Sequence, residues 1–322
     1  MTDTIRDPHA DKTRDALAAA HLYYLQDLTM DAIASELNTS RSSVSRLLSF
    51  ARSTGLVDIQ IKSPLSGITH LQNEIQNRYT VTAHIVPVPD HASEVDRLER
   101  VALSAARILG SFIDSNMTMG IAWGSTMTAM SRHLVSKPIH NAQIVQLNGA
   151  ANTRTTGIVY ASEILRRFGD AYSAYVQYFP VPAFFDDPAT KRALWQERST
   201  RYVLGVQATM DIALFGIGSP DADVPSHVYT SGYLDDDDVR LLREENVVGD
   251  VATIFLREDG SWRDISLNAR ATGPDLDTLR QVARRVCVSS GTSKLLALKG
   301  ALAAGLMTDI IIDESTARAL LD

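Results

Sequence analysis

From residue 81 onward the chain alternates short, almost wholly apolar runs with longer amphipathic ones, and this alternation limits the fold more than any other feature. Residues 83–88, 117–123, 142–147, 211–217, 285–289 and 309–312 read as strands. Residues 94–113, 125–134, 158–168, 235–245, 294–304 and 314–321 read as helices. Strands that are apolar on both faces and separated by helices predict an α/β unit, with a parallel sheet covered on both sides. Residues 174–180 read as extended and residues 250–255 as one more strand.

In such a sheet ligands bind beyond the C-terminal ends of the strands. Four of these ends carry glycine among small polar residues: Trp123-Gly124-Ser125-Thr126, Asn148-Gly149-Ala150, Gly216-Ile217-Gly218-Ser219 and Ser290-Gly291-Thr292-Ser293-Lys294. Glycine lets a ligand approach the backbone, freed N–H groups favour anions, and hydroxyls add donors. Lys294 lies in the first turn of its helix, placed to meet a phosphate. The loops together predict a site for a small anionic or polyhydroxylated molecule, although each glycine on its own also serves a plain strand-to-helix turn. Asp250, after Gly249, either accepts from a sugar hydroxyl or caps local backbone. His227, in a polar loop, reads as a solvated histidine or as part of the pocket mouth. Arg154 reads as a surface arginine with an anion in reach.

Residues 29–61 have a different pattern. Ala32, Ile33 and Leu37 fall at helical spacing behind Thr29, an N-cap residue type. Asn38-Thr39-Ser40 breaks the helix, and Ser40 caps the next. Val44, Leu47, Leu48 and Ala51 form a second apolar stripe, leaving Arg41, Ser42, Ser43, Ser45 and Arg46 on the other face. Gly55 stops that helix, and residues 56–61 alternate as a strand does. A helix over residues 11–26, with Tyr23 and Tyr24 packing beneath the other two, precedes them, and residues 1–10 read as disordered. This is the outline of a winged helix-turn-helix, in which side chains at the start of the second helix meet base edges in the DNA major groove. Thr39, Ser40, Arg41, Ser42, Ser43, Ser45 and Arg46 are the candidate DNA-binding residues.

Charge agrees with that division. The whole chain carries −7. Between Asn38 and Lys62, Arg41, Arg46, Arg52 and Lys62 face one acid, Asp58, a local excess of +3. A basic patch on an acidic body suits a DNA-binding module joined to a domain with another task. The sole cysteine, Cys287, excludes an internal disulfide and reads as a buried small hydrophobe. The histidines lack metal-ligand spacing, and there is no nucleophile elbow, Walker loop or zinc motif. Gly216-Ile217-Gly218-Ser219 lacks the third glycine of a dinucleotide fingerprint. No cofactor and no metal are expected. The polar N-terminus has no apolar core of signal-peptide length, and no run is long enough to span a bilayer, so the expectation is a cytoplasmic protein.

The quoted pieces, taken in order, resemble the SorC family of bacterial transcriptional regulators over about residues 15–321. The first part is similar to that family's DNA-binding domain through Tyr23-Tyr24, residues 29–34, residues 40–48 and Gly55-Leu56-Val57. The rest is similar to its sugar-binding domain through residues 120–126, residues 145–149, Gly216-Ile217-Gly218, Val248-Gly249-Asp250, residues 290–294 and residues 313–317. The resemblance implies a Rossmann-like doubly wound effector domain, assembly as a dimer or tetramer, and a sugar, polyol or sugar-phosphate effector. It also implies that Gly124, Ser125 and Thr126 hold a phosphate, Gly149 lines the floor, Asp250 meets hydroxyls and Lys294 a charged group. The chain departs from the family at Ser290, where a glycine often precedes the lysine helix, and at Asn148, where some phosphate-binding members place a basic residue. Whether the effector is phosphorylated stays open.

The expectation is therefore a helix-turn-helix domain over residues 1–63, a connecting helix over 64–80, and an effector and oligomerisation domain over 81–322. Its effector-binding residues are Gly124, Ser125, Thr126, Asn148, Gly149, Gly218, Asp250 and Lys294. The function expected is a transcriptional regulator that binds operator DNA as a homo-oligomer. The alternative is a sugar-phosphate isomerase- or deaminase-like enzyme using Asp250 or His227 as acid or base.

Overall fold

The computed structural model describes residues 8–58, 67–224 and 226–322. Its contacts divide the chain into two compact units, Met1–Ser63 and Pro64–Asp322.

Among the described residues the first unit holds three helices, Pro8–Tyr24, Met30–Glu36 and Arg41–Ser53. Thr29 caps the second, its hydroxyl accepting from Ala32 N at 3.3 Å, and Ser40 caps the third, accepting from Ser43 N at 3.1 Å. These bonds satisfy N–H groups that a helix start otherwise leaves unpaired. Ala16, Ala19, Ala20, Ile33, Val44, Leu48 and Ala51 form the buried core, with Tyr23 and Tyr24 packed edge to face at 5.0 Å beside it. The third helix ends where Gly55 takes a left-handed φ of 75°. The expected disorder over residues 1–10 is corrected in part. Residues 8–10 are the first turn of a helix, which Pro8 opens with the backbone angle that position favours. Of the expected wing strand over 56–61, residues 59–61 lie outside the described residues.

The second unit is built on nine strands among the described residues: β1 (Thr82–Val86), β2 (Thr118–Ile121), β3 (Gln143–Gln146), β4 (Tyr175–Gln177), β5 (Ile212–Gly216), β6 (Val247–Val251), β7 (Ile254–Arg257), β8 (Arg284–Val288) and β9 (Asp309–Asp313). Seven pair in parallel in the order β1-β9-β8-β5-β2-β3-β4. Successive side chains feed opposite cores. Ile212, Leu214, Val286, Val288 and Ile311 pack on one face with the helices Glu94–Leu109 and Ile158–Tyr172. Ala213, Phe215, Cys287, Ile310 and Ile312 pack on the other with Leu295–Ala303 and Glu314–Leu321. Both faces are covered, as runs without polar alternation require.

Two expectations change. Residues 250–255 are not one strand of the sheet. They span a hairpin, β6 pairing antiparallel with β7 through Ala252 and Thr253, which hold φ of 48° and 71°. The expected connecting helix, Gly67–Tyr79, is part of the second unit's fold. Leu71 and Ile75 are buried in its core, Arg78 donates to Leu321 O at 2.6 Å, and the Tyr79 hydroxyl donates to Leu320 O at 3.0 Å.

Candidate functional site

The C-terminal ends of β2, β3 and β5 surround a cleft that opens to solvent. Gly124, Ser125, Thr126, Asn148, Gly218, Asp250 and Lys294 all line it, as do Trp123, Ser226, His227 and Thr253. Residues beyond the strand ends and residues of the β6–β7 hairpin, Asp250, Ala252 and Thr253, line it together.

Asp250 reaches the cleft because the hairpin is stitched to the end of β5. Gly218 N donates to Asp250 O at 2.9 Å, and Asp250 N donates to Gly218 O at 3.0 Å. The carboxylate then lies across Gly218, where a Cβ would stand 1.9 Å from Asp250 Oδ1. Glycine at 218 is a packing requirement of the acid. Asp250 is 4 % exposed and accepts from Thr253 N at 3.0 Å through Oδ2, while Oδ1 has no hydrogen-bond partner. Burial pushes its carboxyl up to about 6, against the opposing pull of the Thr253 N–H and the Lys294 charge. The Tyr229 hydroxyl is buried against the same carboxylate; it adds to the downward pull on Asp250, while burial and that carboxylate raise its own pKa.

Lys294 is equally buried, and desolvation lowers its pKa against the attraction of Cys287, Asp250 and Glu94. Its loop is held from the next strand. Gly291, at a φ of 84°, donates its N–H at 2.9 Å to Asp313, the last residue of β9. Asp313 in turn accepts from Arg97 at 3.0 Å, and Arg97 donates to Glu94 at 3.1 Å. Asn148 is 1 % exposed, and its Oδ1 has no partner either. Buried acceptors are normally met, so these two leave places that a water or a ligand hydroxyl can fill.

Aromatic rings pack against part of the lining. Trp123 stacks on Tyr233 at 5.0 Å and meets Tyr160 edge to face at 6.2 Å, and Tyr160 packs on His227 at 4.8 Å. His227 is half-buried, its Nδ1 lies 3.1 Å from Ser231 Oγ, and burial lowers its pKa, keeping the ring neutral at pH 7. Of the two readings open for this residue, the structure places it in the cleft.

Gly149 does not line the cleft. Its N–H donates to Thr272 Oγ1 at 3.0 Å, its carbonyl accepts from Trp123 Nε1 at 2.8 Å, and a Cβ there would stand 2.2 Å from Pro182 O. The chain is tight at 149 because backbone passes it, and that contact orients Trp123. Arg154 is exposed and away from the cleft. Ser226 and Thr253 have no signal in the sequence, and Trp123, though part of a glycine-bearing strand end, is not among the expected site residues. Trp123 reads as the last residue of an apolar strand, and the other two gain meaning only from the hairpin.

In the first unit, Thr39, Ser40, Arg41, Ser42, Ser45 and Arg46 are exposed and Ser43 is partly so. They cluster at the start of Arg41–Ser53. Ser40 Oγ lies 2.9 Å from the hydroxyls of both Ser42 and Ser43, and Arg46 donates to Ser43 Oγ at 3.2 Å.

The Sugar-bind family model, that of a sugar-binding domain, matches residues 63–322. The deoxyribonucleoside regulator of Bacillus subtilis (strain 168) is 29% identical over 315 residues, 97% of this chain and 98% of that protein. The chain belongs to the SorC family of sugar-binding transcriptional regulators. A crystallised domain of a possible sugar-binding transcriptional regulator from Arthrobacter aurescens TC1 is 54% identical, with a TM-score of 0.75, covering 81% of this chain and all of that one. The full-length sorbitol operon regulator SorC from Klebsiella pneumoniae, 22% identical, shares the fold over 97% of this chain and 100% of its own, with a TM-score of 0.72. The relatives are regulators of transcription, and the reading as an isomerase or deaminase finds no support among them.

Proposed function

We propose that the two units divide the work of an effector-controlled repressor or activator. The first unit is a winged helix-turn-helix whose residues Thr39 to Ser43, Ser45 and Arg46 grip and read operator DNA. The second is a Rossmann-like effector domain whose cleft takes a sugar, polyol or sugar phosphate at Gly124, Ser125, Thr126, Asn148, Gly218, Asp250 and Lys294. Gly149 serves by fixing Trp123 and not by contact. The protein acts in the cytoplasm as a homo-oligomer, because a single helix-turn-helix reads only one half-site. Effector binding shifts the match of paired recognition helices to DNA, a coupling typically of ~1–3 kcal/mol.

The observation that carries this reading is the pair of buried, donor-less acceptors, Asn148 Oδ1 and Asp250 Oδ1, beside the buried ammonium of Lys294. The names of the relatives, regulators of deoxyribonucleoside and sorbitol genes, agree with a carbohydrate effector. The test has two arms. A mobility-shift titration on the chain's own promoter should lose affinity with Arg41→Ala and with Arg46→Ala. Unchanged affinity for both removes the DNA-reading assignment. A thermal-shift screen over sugars, polyols and sugar phosphates should raise the midpoint with at least one compound, since a ligand bound only by the folded state stabilises it. No shift across the panel removes the cleft assignment.

A further inference from the structure

We propose that the effector is uncharged: a free sugar or polyol whose hydroxyls donate to acceptors in the cleft, its phosphate ester being disfavoured. This rests on the reading of the cleft as the effector site and narrows it to one ligand class.

The charge of the lining is the first argument. Among the described residues that line the cleft, Lys294 is the one lysine, Asp250 the one carboxylate, and there is no arginine. His227 remains neutral at pH 7, because burial lowers its pKa. The single ammonium already lies in the field of Asp250 and of Glu94, which sits over the Gly291 turn that leads into Lys294. Lys294 and Asp250 sum to no net charge, so a phosphate dianion enters a lining without excess positive charge to balance it. Burying charge without an opposite charge is unfavourable. The peptide N–H groups of Gly124 to Thr126 add dipoles but no compensating charge, and they suit a hydroxyl or carbonyl oxygen as well.

Hydrogen-bond type is the second argument. The unmet atoms, Asn148 Oδ1 and Asp250 Oδ1, are acceptors. The oxygens of a phosphate dianion only accept, so esterification removes one donor hydroxyl while the remaining hydroxyls still donate. The nearby Tyr229 hydroxyl offers a single proton, and a carboxylate oxygen accommodates more than one donor. Trp123 adds an aromatic group to the lining.

The experiment is isothermal titration of the full-length protein at pH 7.5 with matched pairs. D-sorbitol, erythritol, D-ribose and 2-deoxy-D-ribose are each set against their monophosphate ester. The proposal expects one free compound to bind at least about tenfold tighter than its ester, a difference of about 1.4 kcal/mol. Tighter binding of the ester in the best pair overturns it while leaving the cleft as the effector site. Binding by no member of either series overturns the effector reading and this proposal with it. Glu94→Gln and Asp250→Asn each remove one negative charge beside Lys294, so in both variants the ratio should move toward the ester. An unmoved ratio in both refutes the charge argument.

Discussion

Replacing Asp250 by asparagine should make the ligand-free protein more stable at neutral pH while weakening effector binding. The acid is buried in the cleft lining and titrates in the fold at about 6, against 3.8 for the unconstrained group, with desolvation the leading cause. Folding therefore prefers its protonated form. That preference is fully expressed below pH 3.8 and is lost as pH rises through 6. A tenfold change in proton affinity corresponds to about 1.4 kcal/mol, so the ionised carboxylate costs about 3 kcal/mol of stability at pH 8 and about 1 kcal/mol at pH 4.5. Asparagine keeps the oxygen that accepts from Thr253 N and removes the buried charge. Lys294 loses one counter-charge, but Glu94 remains near it, and no hydrogen bond joins Lys294 to Asp250 among the described residues. Urea denaturation of wild type and Asp250→Asn at several pH values measures the effect. The advantage of the variant should shrink by about 2 kcal/mol between pH 8 and pH 4.5. A variant less stable than wild type at pH 8, or an advantage that does not change with pH, refutes the claim that desolvation dominates at this site.

Three further outcomes follow from the geometry. Gly149→Ala puts a methyl 2.2 Å from Pro182 O, and because backbone yields little, a loss of about 2 kcal/mol or more is expected in chemical denaturation, with a changed Trp123 fluorescence as the Nε1 contact is disturbed. Ser40→Ala removes the cap on Ser43 N and should cost about 1 kcal/mol, read as earlier melting of the helical signal that belongs to the first unit. Cys287 is fully buried and its thiol is pushed up to about 12, so it should resist a disulfide reagent at pH 8 in the native protein and react at once in denaturant, whereas rapid native labelling would contradict its place in the core.

The main sheet was legible because its strands are apolar on both faces, and a run such as residues 309–312, Asp-Ile-Ile-Ile, has few other ways to be buried. The caps at Thr29 and Ser40 were legible for a local reason: a hydroxyl at a helix start bonds within its own turn. The hairpin was not. Two-residue turns of positive φ usually announce themselves with asparagine and glycine, and here Ala252 and Thr253 take that conformation with nothing in the sequence to mark it. The helices Pro188–Leu194 and Arg198–Ala208 escaped because the first buries no residue and the second buries Thr200, Val203 and Gln207, two of them polar. At the site, the polar residues at strand ends were readable from topology alone, since the C-terminal edge of a parallel sheet gathers them. Which glycine meets a ligand and which meets a neighbouring backbone was not, because Gly124, with open space at its Cβ position, and Gly149, hemmed in by Val181 and Pro182, have equivalent settings in the sequence.

Part of the cleft lining comes from outside the sheet. Asp250 sits on a two-stranded ribbon joined to β5 by one reciprocal pair of hydrogen bonds, while Gly124 and Asn148 follow strands locked into a seven-membered ladder. The acid and the lining groups at the strand ends thus come from different segments. Exchanging residues 247–257 for those of a relative would transplant the acid, its turn and its orientation in one short cassette, and the parallel ladder that carries Gly124 and Asn148 would be left as it is.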